Sequence, residues 1–110
     1  MAFLTWQFAL SLRFDDFDDS KEAASRSDAM NVAEACDLYK NRLGKYPQNL
    51  DQLLQPPDGG RPFLNSGSDL FDQWGHKFFN DSNGPSNNGR RVDIWTIDPN
   101  TGKIIGNWSK

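Results

Sequence analysis

Two side chains in this 110-residue chain carry the chemistry of nucleophiles and bases, and each occurs once: Cys36 and His76. A catalytic thiol needs a base beside it and a third group to orient that base. Cys36 lies among Val32, Ala35 and Tyr39 on what reads as a helix face, so it reads as a small buried hydrophobe. His76 sits in Trp74-Gly75-His76-Lys77-Phe78-Phe79, where a turn or strand-edge role is expected. Nothing in the sequence links the two. One cysteine excludes an intrachain disulfide, and one histidine excludes a His-rich zinc site of ordinary spacing. Asp69 and Asp72 offer a pair of carboxylates, but in a loop with no activating His or metal cluster in its local pattern. The expectation is a chain with no catalytic and no cofactor-binding residues.

Charge narrows the partners. Twelve Lys and Arg stand against fifteen Asp and Glu, a net charge of -3, and the basic residues are scattered. A nucleic-acid groove needs them clustered, so no nucleic-acid partner is expected. Arg90-Arg91 is a basic pair near the C-terminal strands, with a phosphate contact and a solvated strand entrance as its two readings. Asp15-Asp16-Phe17-Asp18-Asp19 places four aspartates in five residues, whose repulsion favours a solvated segment. Calcium prefers such hard oxygen ligands, but the Gly turn and distal Glu of an EF-hand loop are missing.

These residues must be held by a small core. The apolar fraction is 36% and the mean hydropathy -0.74, on the polar side, while 13% aromatic residues promise few but large core side chains. Residues 1–14 are largely apolar but shorter than the roughly 20 residues that span a bilayer. They also lack the basic start and small-residue cleavage site of a signal peptide. The division expected is an apolar and acidic segment, 1–19, followed by one globular domain, 20–110.

Residues 20–43 read as one amphipathic helix capped by Ser20. Ala29, Val32, Cys36, Tyr39 and Leu43 form a single stripe at helical period, and Gly44 stands where a helix-ending glycine belongs. Asn49 is a candidate cap for a short helix through Leu54, which Pro56-Pro57 stops. Residues 61–75 look irregular, with Phe63, Leu64, Leu70, Phe71 and Trp74 as core anchors. Strands are expected at Lys77–Asn80, Arg91–Ile97 and Lys103–Trp108. The last two flank a tight Asp98-Pro99-Asn100-Thr101-Gly102 turn. The fold class is therefore α+β: a long N-terminal amphipathic helix laid across a small antiparallel sheet of about three strands.

The order of these motifs resembles that of the major pseudopilin of the type II secretion system, a type IV pilin-like family. Asp37-Leu38-Tyr39-Lys40 with Gly44-Lys45-Tyr46-Pro47 resembles the family's helix end and Gly-x-Tyr-Pro turn. Leu50–Leu54 resembles the Leu-rich helix that follows, and Arg61-Pro62-Phe63-Leu64 its Gly-Pro-Tyr-Leu segment. Asp72-Gln73-Trp74-Gly75, Val92-Asp93-Ile94-Trp95-Thr96-Ile97 and Ile105-Gly106-Asn107-Trp108 resemble the segments that build and close its sheet. The resemblance runs from about Ser27 to Trp108.

Two departures stand out. Members of that family begin with a prepilin leader, then Phe, apolar residues and an early Glu, none of which is found here. A lost start is the expectation, with residues 1–14 as the remnant of a longer hydrophobic helix. The second departure is the closing loop, where the family binds calcium with a longer Gly- and Asp-rich segment. Here Asp98-Pro99-Asn100-Thr101-Gly102-Lys103 is short, and Ile104 replaces the family's later Asp. The resemblance implies calcium on Asp98 and Asn100 with the Ile97 backbone, although calcium takes six to eight oxygens. A turn satisfied through its own Asp98 and Asn100 side chains is the competing reading.

The resemblance implies a non-enzymatic subunit of a pseudopilus acting in protein secretion. It would assemble with itself and other secretion-system proteins, rooted in the bacterial inner membrane with its head in the periplasm. The chain as given, without the full hydrophobic helix, is expected to behave as soluble. The alternative from the residues alone is a small soluble binding module, with exposed Trp6, Trp74, Trp95 or Trp108 stacking on sugars or a protein. For Trp74 and Trp108, a core position is the expected reading.

Overall fold

The computed structural model describes the backbone of residues 2–108 and the side chains of residues 19–108. Helix α1 spans Ala2–Leu43, 42 residues. At 1.5 Å per residue it is about 63 Å long, and it sets the longest dimension of the 65 × 28 × 16 Å molecule. The three strands are β1, Phe79–Asp81, β2, Asp93–Ile97, and β3, Ile104–Gly106. They form one antiparallel sheet in the order β1-β2-β3. The arrangement is the expected α+β one, with α1 packed on β2 and β3.

The expected stripe is the buried face of α1. Ala29, Val32 and Cys36 are fully enclosed and Tyr39 nearly so, joined by Ala33 and Ala35. Alanine at positions 29, 33 and 35 keeps this face thin, so the chain packs close to the helix. Leu50, Leu53, Leu70, Phe78, Val92 and Ile94 complete the cluster. Burying each large aliphatic side chain is worth about 1.5–3 kcal/mol before entropy is counted. Tyr39 also places its ring 5.4 Å from Phe63 and donates its hydroxyl hydrogen to Gln52 Oε1 at 3.2 Å. The helix ends at Gly44, whose φ of +86° turns the chain while its N–H bonds the Lys40 carbonyl at 2.7 Å.

Several local expectations need correcting. Ser20 does not cap α1, because the helix continues past it toward the N-terminus. The segment after Asn49 is a 3-10 turn, Leu50–Leu53, and the Asn49 side chain makes no capping bond. The stretch 61–75 is more ordered than its composition suggests. It holds a 3-10 turn, Gly67–Leu70, closed by a reciprocal capping box between Ser66 and Asp69. Of its five expected anchors, Leu70 is buried, Phe63, Leu64 and Trp74 are half-buried, and Phe71 is exposed. The strands lie inside the expected ranges apart from β1, which begins later and includes Asp81.

The sheet has two unlike faces. Ile94, Thr96 and Ile105 are buried toward α1. On the outer face, Phe79 pairs with Trp95 and Ile97 with Ile104 across the strands. Phe79, Ile97 and Ile104 are exposed and Trp95 is half-buried. Trp108 folds back over this face, so a Cβ on Gly106 would meet its ring at 2.5 Å. Trp108 thus caps the outer surface instead of closing the core. The side chains of Trp6 and Asp15–Asp18 lie outside the described residues.

Candidate functional site

The polar residues singled out in the sequence fall into three knots, each tying a loop to the helix or sheet. The first is centred on Asp72, whose side chain is fully enclosed. Its Oδ1 accepts the backbone N–H groups of Trp74 at 2.9 Å and His76 at 2.8 Å, and its Oδ2 accepts the Thr96 hydroxyl. Asp72 therefore folds the Gln73-Trp74-Gly75 turn and fastens it to β2. The next residue fastens it to α1: Gln73 N–H donates to Ser25 Oγ at 3.1 Å and its amide to Asp28 Oδ2 at 2.8 Å. Ser25 is fully buried in the helix.

This geometry answers the question of paired carboxylates. Asp69 serves as the capping partner of Ser66, and Asp72 clamps a turn. His76 Nδ1 comes to 3.8 Å from Asp72 Oδ2, but the imidazole is mostly exposed and the carboxylate is already engaged by three donors.

Cys36 is fully enclosed in the core face of α1. Burial, with a smaller contribution from the Asp37 carboxylate, pushes its thiol up to about 12. At neutral pH only about one thiol in 10⁵ would then be the reactive thiolate. A thiol-reactive dye such as DTNB should not label the native protein on the timescale of minutes, and should label one thiol fully after denaturation. Rapid labelling of the folded chain would contradict the placement of Cys36.

The second knot joins the loop 82–91 to the end of the sheet. Asp93 Oδ2 accepts Ser86 N–H at 2.9 Å, and its Oδ1 accepts the Asn87 amide at 2.7 Å. Asn107 lies across β2. Its Oδ1 accepts Ile94 N–H at 2.9 Å and the Asn87 amide at 3.2 Å, and its Nδ2 donates to the Val92 carbonyl at 3.0 Å. The basic pair expected at the strand entrance is divided between two tasks. Arg91 Nη2 pairs with Asp37 Oδ2 on α1 at 2.7 Å, and the Arg90 carbonyl accepts the Tyr46 hydroxyl at 3.2 Å.

The third knot is the β2–β3 turn, where the resemblance implies calcium and a turn satisfied by its own side chains is the competing reading. Asp98 is fully buried. Its Oδ1 accepts Asn100 N–H at 2.7 Å, its carbonyl accepts Gly102 N–H at 2.8 Å, and its N–H bonds the Lys103 carbonyl at 2.9 Å. The neighbouring Asp98 carboxyl and burial raise the pKa of Glu22, from the other end of the sequence, while Lys103 lowers it. Lys103 Nζ stands 3.4 Å from Glu22 Oε1. Asn100 is exposed at the tip.

Asn107, Thr96, Ser25 and Glu22 were not picked out as site residues from sequence. For Thr96 and Asn107 a signal existed: polar residues at buried positions of alternating strands. Ser25 and Glu22 carry none, because their partners lie 48 and more residues away.

Every knot described is structural, and together they assign a packing or turn-forming task to each motif of the resemblance that reaches the sheet. The family comparison agrees with that geometry. The profile described as Type II secretion system (T2SS), protein G, matches residues 13–103, most of the chain. Comparisons with the curated proteins and with the solved structures give no match. The match takes in most of α1, the whole of β1 and β2 and the three knots up to Lys103, and the chain belongs to the type II secretion system protein G family, the major pseudopilins.

Proposed function

We propose that this chain is a non-enzymatic subunit of a type II secretion pseudopilus or a related type IV pilin-like filament. The family is envelope-associated and acts in type II secretion. In this reading α1 packs against copies of itself and the head, 20–110, faces outward in the periplasm. The observation that carries it is the match over residues 13–103. Glu22, Ser25, Asp28 and Asp37 of α1 make polar contacts with Lys103, Gln73 and Arg91 of the rest of the chain. No helix among the described residues is long and apolar enough to cross a membrane.

The test is made in cells that produce the chain. Pseudopili sheared from their surface should contain it, detected by antibody, and deletion of its gene should reduce secretion of type II substrates. Undiminished secretion with no chain in the sheared fraction would overturn the filament reading.

One observation favours the second reading, a binding module. The Phe79 and Trp95 rings stack at 5.6 Å with an interplanar angle of 26°, and Trp108 adds a third ring 6.3 Å from Trp95. Such a platform suits a sugar ring or an apolar protein surface. Glycan binding that disappears in Trp95→Ala would favour it over the filament role.

A further inference from the structure

The six residues from Asp98 to Lys103 are a poor match for the calcium ion that the family resemblance implies. Calcium gathers six to eight oxygens. In this turn Asp98 Oδ1, the carbonyls of Asp98 and Lys103 and the Thr101 hydroxyl oxygen all accept backbone N–H groups of the turn itself. Asn100, the second expected ligand, is exposed at the tip, whereas Asp98 is enclosed against α1. The two residues therefore face different surroundings.

We infer that the closing turn of this chain is held without calcium, by a latch in which the Lys103 ammonium faces the Glu22 side chain of α1 beside the buried Asp98. Two carboxyl groups brought near one another with little water between them repel unless a proton or a cation stands with them. Lys103 supplies the cation from within the chain. Its amine lies 3.4 Å from Glu22 Oε1, and the Glu22 side chain is only 12% exposed. Contact with Asp98 and burial raise the Glu22 pKa, and Lys103 works in the opposite direction. The latch spans 81 residues of sequence. It fastens the last hairpin to α1, at the position a loop-bound ion would otherwise have to stiffen.

A double-mutant cycle with thermal unfolding tests this. Glu22→Gln keeps the length of the side chain and removes the carboxylate that Lys103 faces, so Lys103 is no longer required. Lys103→Met should lower Tm by about 4–8 °C in the wild-type background and by about 0–2 °C in the Glu22→Gln background. Millimolar calcium against EGTA should leave the wild-type midpoint unchanged. A rise in the wild-type midpoint with calcium would overturn the inference. So would an equal fall on Lys103→Met in both backgrounds, which would make Lys103 a general surface contribution and not a partner of Glu22.

Discussion

Asp72→Ala should cost the head about 3–5 kcal/mol and lower Tm by roughly 15 °C or more, the larger of the two greatest effects expected in this chain. The substitution removes a carboxylate that is fully enclosed. It leaves the buried hydroxyl of Thr96 and the part-buried N–H groups of Trp74 and His76 without their acceptor. Each stranded buried group costs about 1–3 kcal/mol, while the deleted side chain contributes little hydrophobic area to offset it. The turn it folds also carries Gln73, whose bonds to Ser25 and Asp28 hold α1. Asp72→Asn separates the hydrogen-bonding role from the charge. Its oxygen still accepts the two N–H groups, and the Thr96 hydroxyl can rotate to accept from the new amide. More than half of the lost stability should return in Asp72→Asn, measured by urea unfolding with unchanged m. If Asp72→Ala melts within a few degrees of wild type, the turn is not held as described.

The contrast between helix and knots explains what the sequence disclosed. The α1 stripe was legible because Ala29, Val32, Cys36 and Tyr39 obey a period that depends only on helix geometry, and all four are buried. The start of α1 was not. Four aspartates at 15–19 and the expected cap at Ser20 suggested a boundary, but like charges on a helix cost only tenths of a kcal/mol per pair. That is too little to stop a helix that is cooperative over many turns. The strands were legible from alternation at Asp93–Ile97 and from the Asn100-Thr101-Gly102 turn, with errors of a residue or two at their ends. Trp74 and Trp108 misled because size alone does not decide which sheet face a ring covers. The latch was hidden for a different reason. Asp98 looks like a surface turn residue until Glu22 is brought to it by the packing of α1 on the sheet. The turn chemistry is local, whereas the burial is not.

Asn107→Ala is the second large effect, expected at about 2–4 kcal/mol and a fall in Tm of roughly 10–20 °C. The side chain serves both kinds of group at once: its oxygen takes the Ile94 N–H of β2, and its amide reaches the Val92 carbonyl two residues earlier in the chain. That pairing continues the β3 ladder where the strand itself has ended at Gly106. It also gathers Asn87, and through it the carboxylate of Asp93. Alanine leaves the Ile94 N–H and the Val92 carbonyl buried without these partners. Asn107→Asp makes a sharper test, because it preserves shape and the accepting oxygen. At neutral pH its second oxygen would face the Val92 carbonyl and add a negative charge close to Asp93, so it should be as destabilising as alanine. Protonating the new carboxyl restores a donor toward Val92. With a folded pKa raised above the unfolded value, relative to wild type the variant should gain stability as pH falls through that pKa and lose it as pH rises. Melts of Asn107→Asp and wild type compared at pH 7 and near pH 4 read this difference directly. A gap between them that does not narrow at the lower pH would show that the Asn107 amide is not what holds β2 to the end of the chain.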